Sequence, residues 1–508
     1  MDIATDRAIA AGADDVRALI HELERQVRPS AASLDGVTFT FVAPVSVPLR
    51  PGGYVVIDTP AGRLLGHLRD VGLEQVAGPE VVVSVGSLSD IRTPLPFARL
   101  AGDGVMLERS EPFYGAAVTP ADARTVRRWS ERTRPKRATL TLGNATLVPE
   151  VAVELDAGGF ARHTFLCGQS GSGKSYAMGL LLEQLLLNTT LPIVVLDPNS
   201  DATRLAQTRH GVDSVAVARW QALADGIKIR SLGRSGEERL RLRFFDLDLA
   251  TQQALLGLDP LRDREEYDAF RQLLEAEASG RSVTEMERMI FESPDPELRP
   301  LALRIRNLGI LRWPLWSRDP HDPGVLGDLA DRDWRCLVID LGSIDVPAER
   351  ALVSAAVLSE LWARRAERRP VLVVIDEAHN VCPPVPGDLL TAVASERAVA
   401  IAAEGRKYGL HLLVATQRPT KVHENVLSQC DNLVLMRMNS AGDLARIAEL
   451  FSFAPAGLLG RAPAFGLGQA LVCGRVASHP TLVTTGKRIA EEGGSDVPAN
   501  WADAQADV

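Results

Sequence analysis

Two clusters in this 508-residue chain have the residue types and spacing of phosphate chemistry. The first is Gly168-Gln169-Ser170-Gly171-Ser172-Gly173-Lys174-Ser175, which fits G-x-x-x-x-G-K-[ST]. Glycines at such positions let backbone N–H groups turn inward around phosphates, and the helix that follows adds the positive end of its dipole. Lys174 is placed to meet the β- and γ-phosphates, and the Ser175 hydroxyl is of a type that ligates Mg²⁺. A Gly/Ser-rich turn matching by accident would lack the flanks found here. Residues 163–167 (His-Thr-Phe-Leu-Cys) read as a buried strand, and residues 176–187 as an apolar helix whose only breaker is Gly179. The pattern predicts a nucleoside triphosphate site.

The second cluster closes the apolar run 371–375 with Asp376-Glu377-Ala378-His379. At the tip of a strand beside a phosphate-binding loop, Asp376 would reach Mg²⁺ through its water shell, and Glu377 could orient and deprotonate an attacking water. The same acids could merely cap a strand. The letters Asp-Glu-Ala-His also occur in a class of RNA helicases, whose other signatures are missing here. His379 reads as a hydrogen-bonder rather than a metal ligand. Downstream come Glu404-Gly405-Arg406-Lys407-Tyr408-Gly409, a strand at 410–416, and Gln417-Arg418-Pro419. Gln417, at a strand tip, is expected to hold the water and sense the γ-phosphate. Arg406 reads as an arginine finger reaching a neighbouring subunit or as a phosphate contact within its own chain; the plainer alternative is a surface pair with Lys407.

Positioning these groups needs a sheet. From about residue 155 the chain alternates strands with helices (strands at 192–197, 335–341, 371–376, 410–416 and 432–436), which predicts an α/β fold with a mainly parallel sheet covered on both faces. Residues 231–323 are rich in helical signals and charge and read as a helical insertion. Residues 31–154 carry short β-like runs between Pro and Gly (37–42, 54–58, 64–71, 81–85, 104–108), with a hairpin across 49–66, and predict a small N-terminal β-barrel. Residues 13–28 read as an amphipathic helix, giving an N-terminal unit of 1–30. A last strand at 470–473 and a polar, partly mobile tail make up 468–508. The basic run Arg124, Arg127, Arg128, Arg132, Arg134, Lys136 and Arg137 reads either as a patch facing DNA or another subunit, or as a solvated helix and linker.

Composition sets the outer limits. The hydrophobic fraction of 46% and charged fraction of 24% are those of a water-soluble globular protein. No apolar run of membrane-spanning length and no signal-peptide pattern is present, so the expectation is a cytoplasmic protein without membrane contact. Five dispersed cysteines argue for buried thiols rather than a metal or disulfide framework. A net charge of −9 argues against a surface that coats nucleic acid everywhere, while leaving a local basic pore open.

Together, the Asp-Glu-Ala-His-Asn strand end, Glu-Gly-Arg-Lys-Tyr-Gly, Ala-Thr-Gln-Arg-Pro, Arg162-His163-Thr164 and Asp197-Pro198-Asn199 resemble the HerA family of the HerA/FtsK superfamily of ring ATPases. The β-rich N-terminal segment resembles that family's HAS barrel. The resemblance implies a RecA-like P-loop ATPase core at 155–467 that uses ATP and Mg²⁺. It further implies a homohexamer threading double-stranded DNA, nucleotide sites between subunits, and a nuclease partner such as NurA on the barrel face. An alternative within the resemblance is a ring that scaffolds or regulates an antiviral effector enzyme without translocating; a slow, nucleotide-gated assembly protein is a third reading, which Glu377 opposes. Candidate DNA-facing loops are residues 380–388 and part of the helical insertion. One departure stands out: Asp197-Pro198-Asn199-Ser200-Asp201 replaces the family's usual Asp-Pro-His-Gly-Glu.

Overall fold

The computed structural model describes residues 28–75, 98–234, 238–275, 283–319, 321–331 and 333–494. The helix expected at 13–28 (but for its last residue), the run at 81–85 and the end of the tail lie outside the described residues.

The N-terminal strands β1 (Ser30–Ser33), β2 (Thr38–Pro44), β3 (Tyr54–Thr59), β4 (Gly62–Gln75), β5 (Ala98–Met106) and β6 (Phe113–Pro120) form a closed barrel in the order β1-β2-β5-β4-β3-β6. Alternate residues point inward, so Phe39, Phe41, Val55, Ile57, Leu68 and Val118 fill the interior. Gly104 is needed there: a Cβ at this position would lie 2.3 Å from the Phe39 ring. Helix α1 (Ala123–Thr133), capped by Asp122, then leads to the second unit.

Here the structure corrects the expected boundary. The hairpin β7 (Thr139–Ala145) and β8 (Val148–Asp156), grouped by its texture with the barrel, belongs to the other sheet. It is held there by β17 (Thr481–Thr485), which pairs with β7. A strand's partner is a long-range fact that its own residues do not encode.

That second sheet has eleven strands. Its parallel part runs β11 (Ile227–Ser231), β12 (Cys336–Asp340), β10 (Ile193–Asp197), β13 (Val371–Ile375), β14 (Leu410–Thr416), β9 (His163–Cys167) and β15 (Cys430–Met436). Antiparallel β16 (Gln469–Gly474), β17, β7 and β8 extend it. The central parallel strands β12, β10 and β13 are buried on both faces, and this explains their uninterrupted apolar runs. Their alternation sorts the core into two layers. Leu166, Leu372 and Val374 pack with helix α2 (Lys174–Asn188) on one face. Val371, Val373 and Ile375 face the other layer, formed with helices α3 (Pro347–Ala363) and α4 (Leu389–Glu404). The expected insertion is helical, with Leu249–Leu256, Arg264–Glu275, Val283–Phe291 and Arg299–Leu308 packed on that second layer.

Barrel and sheet meet through a ring cluster. The Tyr54 hydroxyl lies 2.7 Å from His479 Nε2, and His67 and Trp129 each approach the His479 ring with centroids 5.1 Å away. Burial holds both histidines below the ordinary imidazole value, His67 at about 4, so the cluster is neutral and packs as aromatic surface. The five cysteines are free and buried. No helix among the described residues is long and apolar enough to cross a membrane.

Candidate active site

The strand order decides what can meet. β14 lies between β9, which feeds the phosphate-binding loop, and β13, which ends in the two acids. All three are parallel, so residues 168–175, Asp376-Glu377 and Gln417 emerge side by side at one edge, where open parallel sheets bind ligands.

The loop is built as its sequence predicts. Gly171 (φ +71°) and Gly173 (φ +91°) adopt the left-handed conformation, which turns the backbone into a cradle opening on the first turn of α2. It is braced from β15: Gln169 N donates to Arg437 O at 2.9 Å, Arg437 Nη2 to Gly171 O at 2.7 Å, and Asn439 N to Gln169 Oε1 at 3.0 Å. Ser170 and Ser175 line the cavity in front of it.

At its floor, Lys174 is buried and bonds Asp376 Oδ1, with Glu377 Oε1 at 3.0 Å. Burial opposes the ammonium charge, but the two carboxylates outweigh it and raise the Lys174 pKa. Burial pushes Asp376 up against the pull of Lys174. Glu377 goes the other way. Burial would raise it, yet contacts from His379, Lys174 and Gln417 hold it at about 2, so it is a carboxylate at any physiological pH. Gln417 Nε2 donates to Glu377 Oε1 at 2.9 Å, and His379 Nδ1 sits 3.2 Å from Oε2 and 3.1 Å from the Thr416 hydroxyl. Glu377 itself has φ +43°, a backbone strain of about 1–3 kcal/mol.

The donor set suits a small hard cation. Asp376 Oδ2 is buried without a hydrogen-bond partner, and Ser175 supplies an oxygen beside the loop. Few protein oxygens with substrate phosphates completing the shell is the pattern Mg²⁺ favours. Groups of three or more acids, histidines or cysteines fit to hold a metal by themselves are absent among the described residues.

Arg406 is not part of this cluster. It precedes β14, at the opposite edge of the sheet, roughly 20 Å of strand away from Gln417. There it is exposed and pairs with Asp431 at 3.0 Å, an acid that Arg162 also contacts. The expected phosphate contact within its own chain is therefore excluded by topology. Asp197, at the tip of β10, caps its own turn by accepting from Asn199, Asp201 and Ala202 N–H groups. Burial raises its pKa to about 7.

Residues 140–308 match the family DUF87, described as Helicase HerA, central domain. Over 391 residues the chain is 24% identical to the DNA double-strand break repair helicase HerA of Pyrococcus furiosus, covering 68% of this chain and 69% of that one. Over 194 residues it is 30% identical to the protein of the same name from Sulfurisphaera tokodaii, covering 36% and 38%. Over these stretches the chain is similar in sequence to the HerA helicases. The bacterial conjugative coupling protein TrwB has a similar structure, with a TM-score of 0.47, 15% identity, and coverage of 73% of this chain and 93% of that one. With the phosphate-binding loop and the acid pair on strand tips either side of β14, the chain is a nucleotide-binding ATPase.

Sequence reasoning missed the residues that close the site from the C-terminal side. The segment after β17, expected as a mobile tail, is packed through residue 494: Arg488 is 4% exposed, and Thr485, Lys487 and Arg488 line the cavity. The one available signal was Gly179, a small residue in an otherwise apolar helix, which makes room for Arg488. The basic run fares differently along its length. Arg132 bonds Glu108, Arg134 bonds Glu154 and Arg127 bonds the Glu150 carbonyl, so three of its members fasten α1 to its neighbours.

Proposed function

We propose that this chain is an ATP-driven motor that moves double-stranded DNA, working as a closed ring of copies, six by the resemblance. The observation that carries the reading is the Lys174–Glu377–Gln417 cluster. An ionised carboxylate stands at the tip of β13, oriented by an amide from the tip of β14, beside a cation placed for phosphate.

In this reading the loop N–H groups and Lys174 hold the ATP phosphates, and incoming phosphate competes with the two acids for the Lys174 ammonium. Mg²⁺, held by Ser175 and through water by Asp376, would neutralise phosphate charge. Glu377 accepts the proton of a water whose oxygen attacks the γ-phosphorus as the bond to the β-phosphate oxygen breaks. Gln417 orients that water and registers its loss. Arg406, excluded from its own site, is the finger that a neighbouring copy would receive; an exposed arginine on the far edge is what such an interface requires.

The names of the relatives support DNA as what is moved and double-strand break repair as its setting. The loop following Glu377 supports a coupling route: Val385 is 82% exposed and lies a few residues from the acids. A partner nuclease on the barrel face comes from the resemblance alone.

The reading is tested by steady-state ATP hydrolysis with and without linear double-stranded DNA. Stimulation by DNA supports it. Turnover indifferent to DNA would count against an autonomous motor and favour a ring whose trigger is a protein partner.

A further inference from the structure

After β17 the chain doubles back over the mouth of the phosphate-binding loop. Thr485, Gly486, Lys487 and Arg488 line the same cavity, of about 720 Å³, as Lys174 and Tyr176. The return is fastened to α2 by Glu183, a fully buried carboxylate. Its Oε1 accepts from Arg488 Nε at 2.7 Å and Ala490 N at 3.2 Å, and its Oε2 from Ile489 N at 2.7 Å. Arg488 N donates to the Tyr176 hydroxyl at 3.0 Å. A Cβ at Gly179 would lie 2.3 Å from the Arg488 guanidinium carbon, so the helix is notched to admit it. A buried, fully bonded ion pair tolerates no slippage, because shifting it would strand a charge. The segment is therefore held in register against the first turn of the helix that follows the loop.

Phosphates are served by the loop amides and Lys174. The rest of a nucleotide must leave the loop past Ser175 and Tyr176, and the wall it meets is 485–488. That wall offers what a nucleoside needs: the Thr485 hydroxyl, and Lys487, exposed and without a partner among the described residues. We propose that residues 485–488 form the ribose-and-base side of the nucleotide site, with Lys487 donating to the nucleoside and Glu183–Arg488 positioning it. This rests on the reading of the loop as a nucleotide site.

The test compares two ligands on the full chain, ATP and inorganic tripolyphosphate, each titrated with Mg²⁺ against the wild type, Lys487→Ala and Gly179→Ala. Lys487 is exposed, so its loss leaves the core intact; Gly179→Ala displaces Arg488. The expected result is about tenfold weaker ATP binding in each variant, with tripolyphosphate binding unchanged. Equal ATP affinity in the wild type and both variants overturns the inference, as does a parallel loss of both ligands, which would place Lys487 on the phosphates. A wild type that binds neither ligand overturns the nucleotide reading and this inference with it.

Discussion

Gln417 donates its side-chain N–H to Glu377 at 2.9 Å across the tips of two adjacent strands. The bond couples the group placed to activate water to the end of the strand that carries Arg406 at its other end. In the proposed ring, hydrolysis at one edge of β14 and a subunit contact at the other would share one rigid element.

Glu377→Gln keeps the shape of the cluster and removes the proton acceptor. ATP turnover should fall at least about a hundredfold while ATP binding stays near wild type. Loss of both in parallel would show that Glu377 is needed to build the site rather than to run it.

Arg406→Ala should leave the melting temperature nearly unchanged, since an exposed ion pair contributes at most about 1 kcal/mol and Arg162 remains beside Asp431. Turnover should drop by about a thousandfold. Mixing it with Lys174→Ala chains should recover part of the activity, because one kind of subunit interface then pairs an intact Arg406 with an intact Lys174. No recovery in mixed assemblies would remove Arg406 from catalysis between subunits.

Asp197 makes a prediction about pH. Its pKa is raised on folding to about 7, so it favours the folded state at low pH, and that contribution is lost as pH rises through 7. Asp197→Asn keeps one oxygen for the Asn199 and Asp201 N–H groups, gives up the bond from Ala202 N–H, and removes the buried charge. The variant should gain on the wild type as pH rises from 4 to 7, and its melting temperature relative to the wild type should be higher by several degrees at pH 8 than at pH 4. A difference independent of pH would mean that Asp197 stays ionised throughout.

How much of this was legible in the sequence follows from chain distance. The loop and the paired acids were readable because each is a short contiguous pattern whose flanks declare strand or helix. Gln417 was readable as a strand tip. The parallel strands announced themselves by burial on both faces. What could not be read was pairing at long range. The hairpin of β7 and β8 alternates like barrel strands, and only β17, far along the chain, shows where it belongs. Glu183 and Arg488 are 305 positions apart, so neither the buried pair nor the packed return could be inferred from local polarity. Arg406 sits in a motif that invites a phosphate contact, and only the direction of β14 sends it to the wrong edge for one.

The central claim is that hydrolysis at Glu377 moves double-stranded DNA, and displacement of a third strand from a linear triplex tests it most directly. The account predicts displacement that requires ATP, is seen with the wild type, and is abolished in Glu377→Gln. Brisk ATP hydrolysis on the same DNA with the third strand left in place would contradict it.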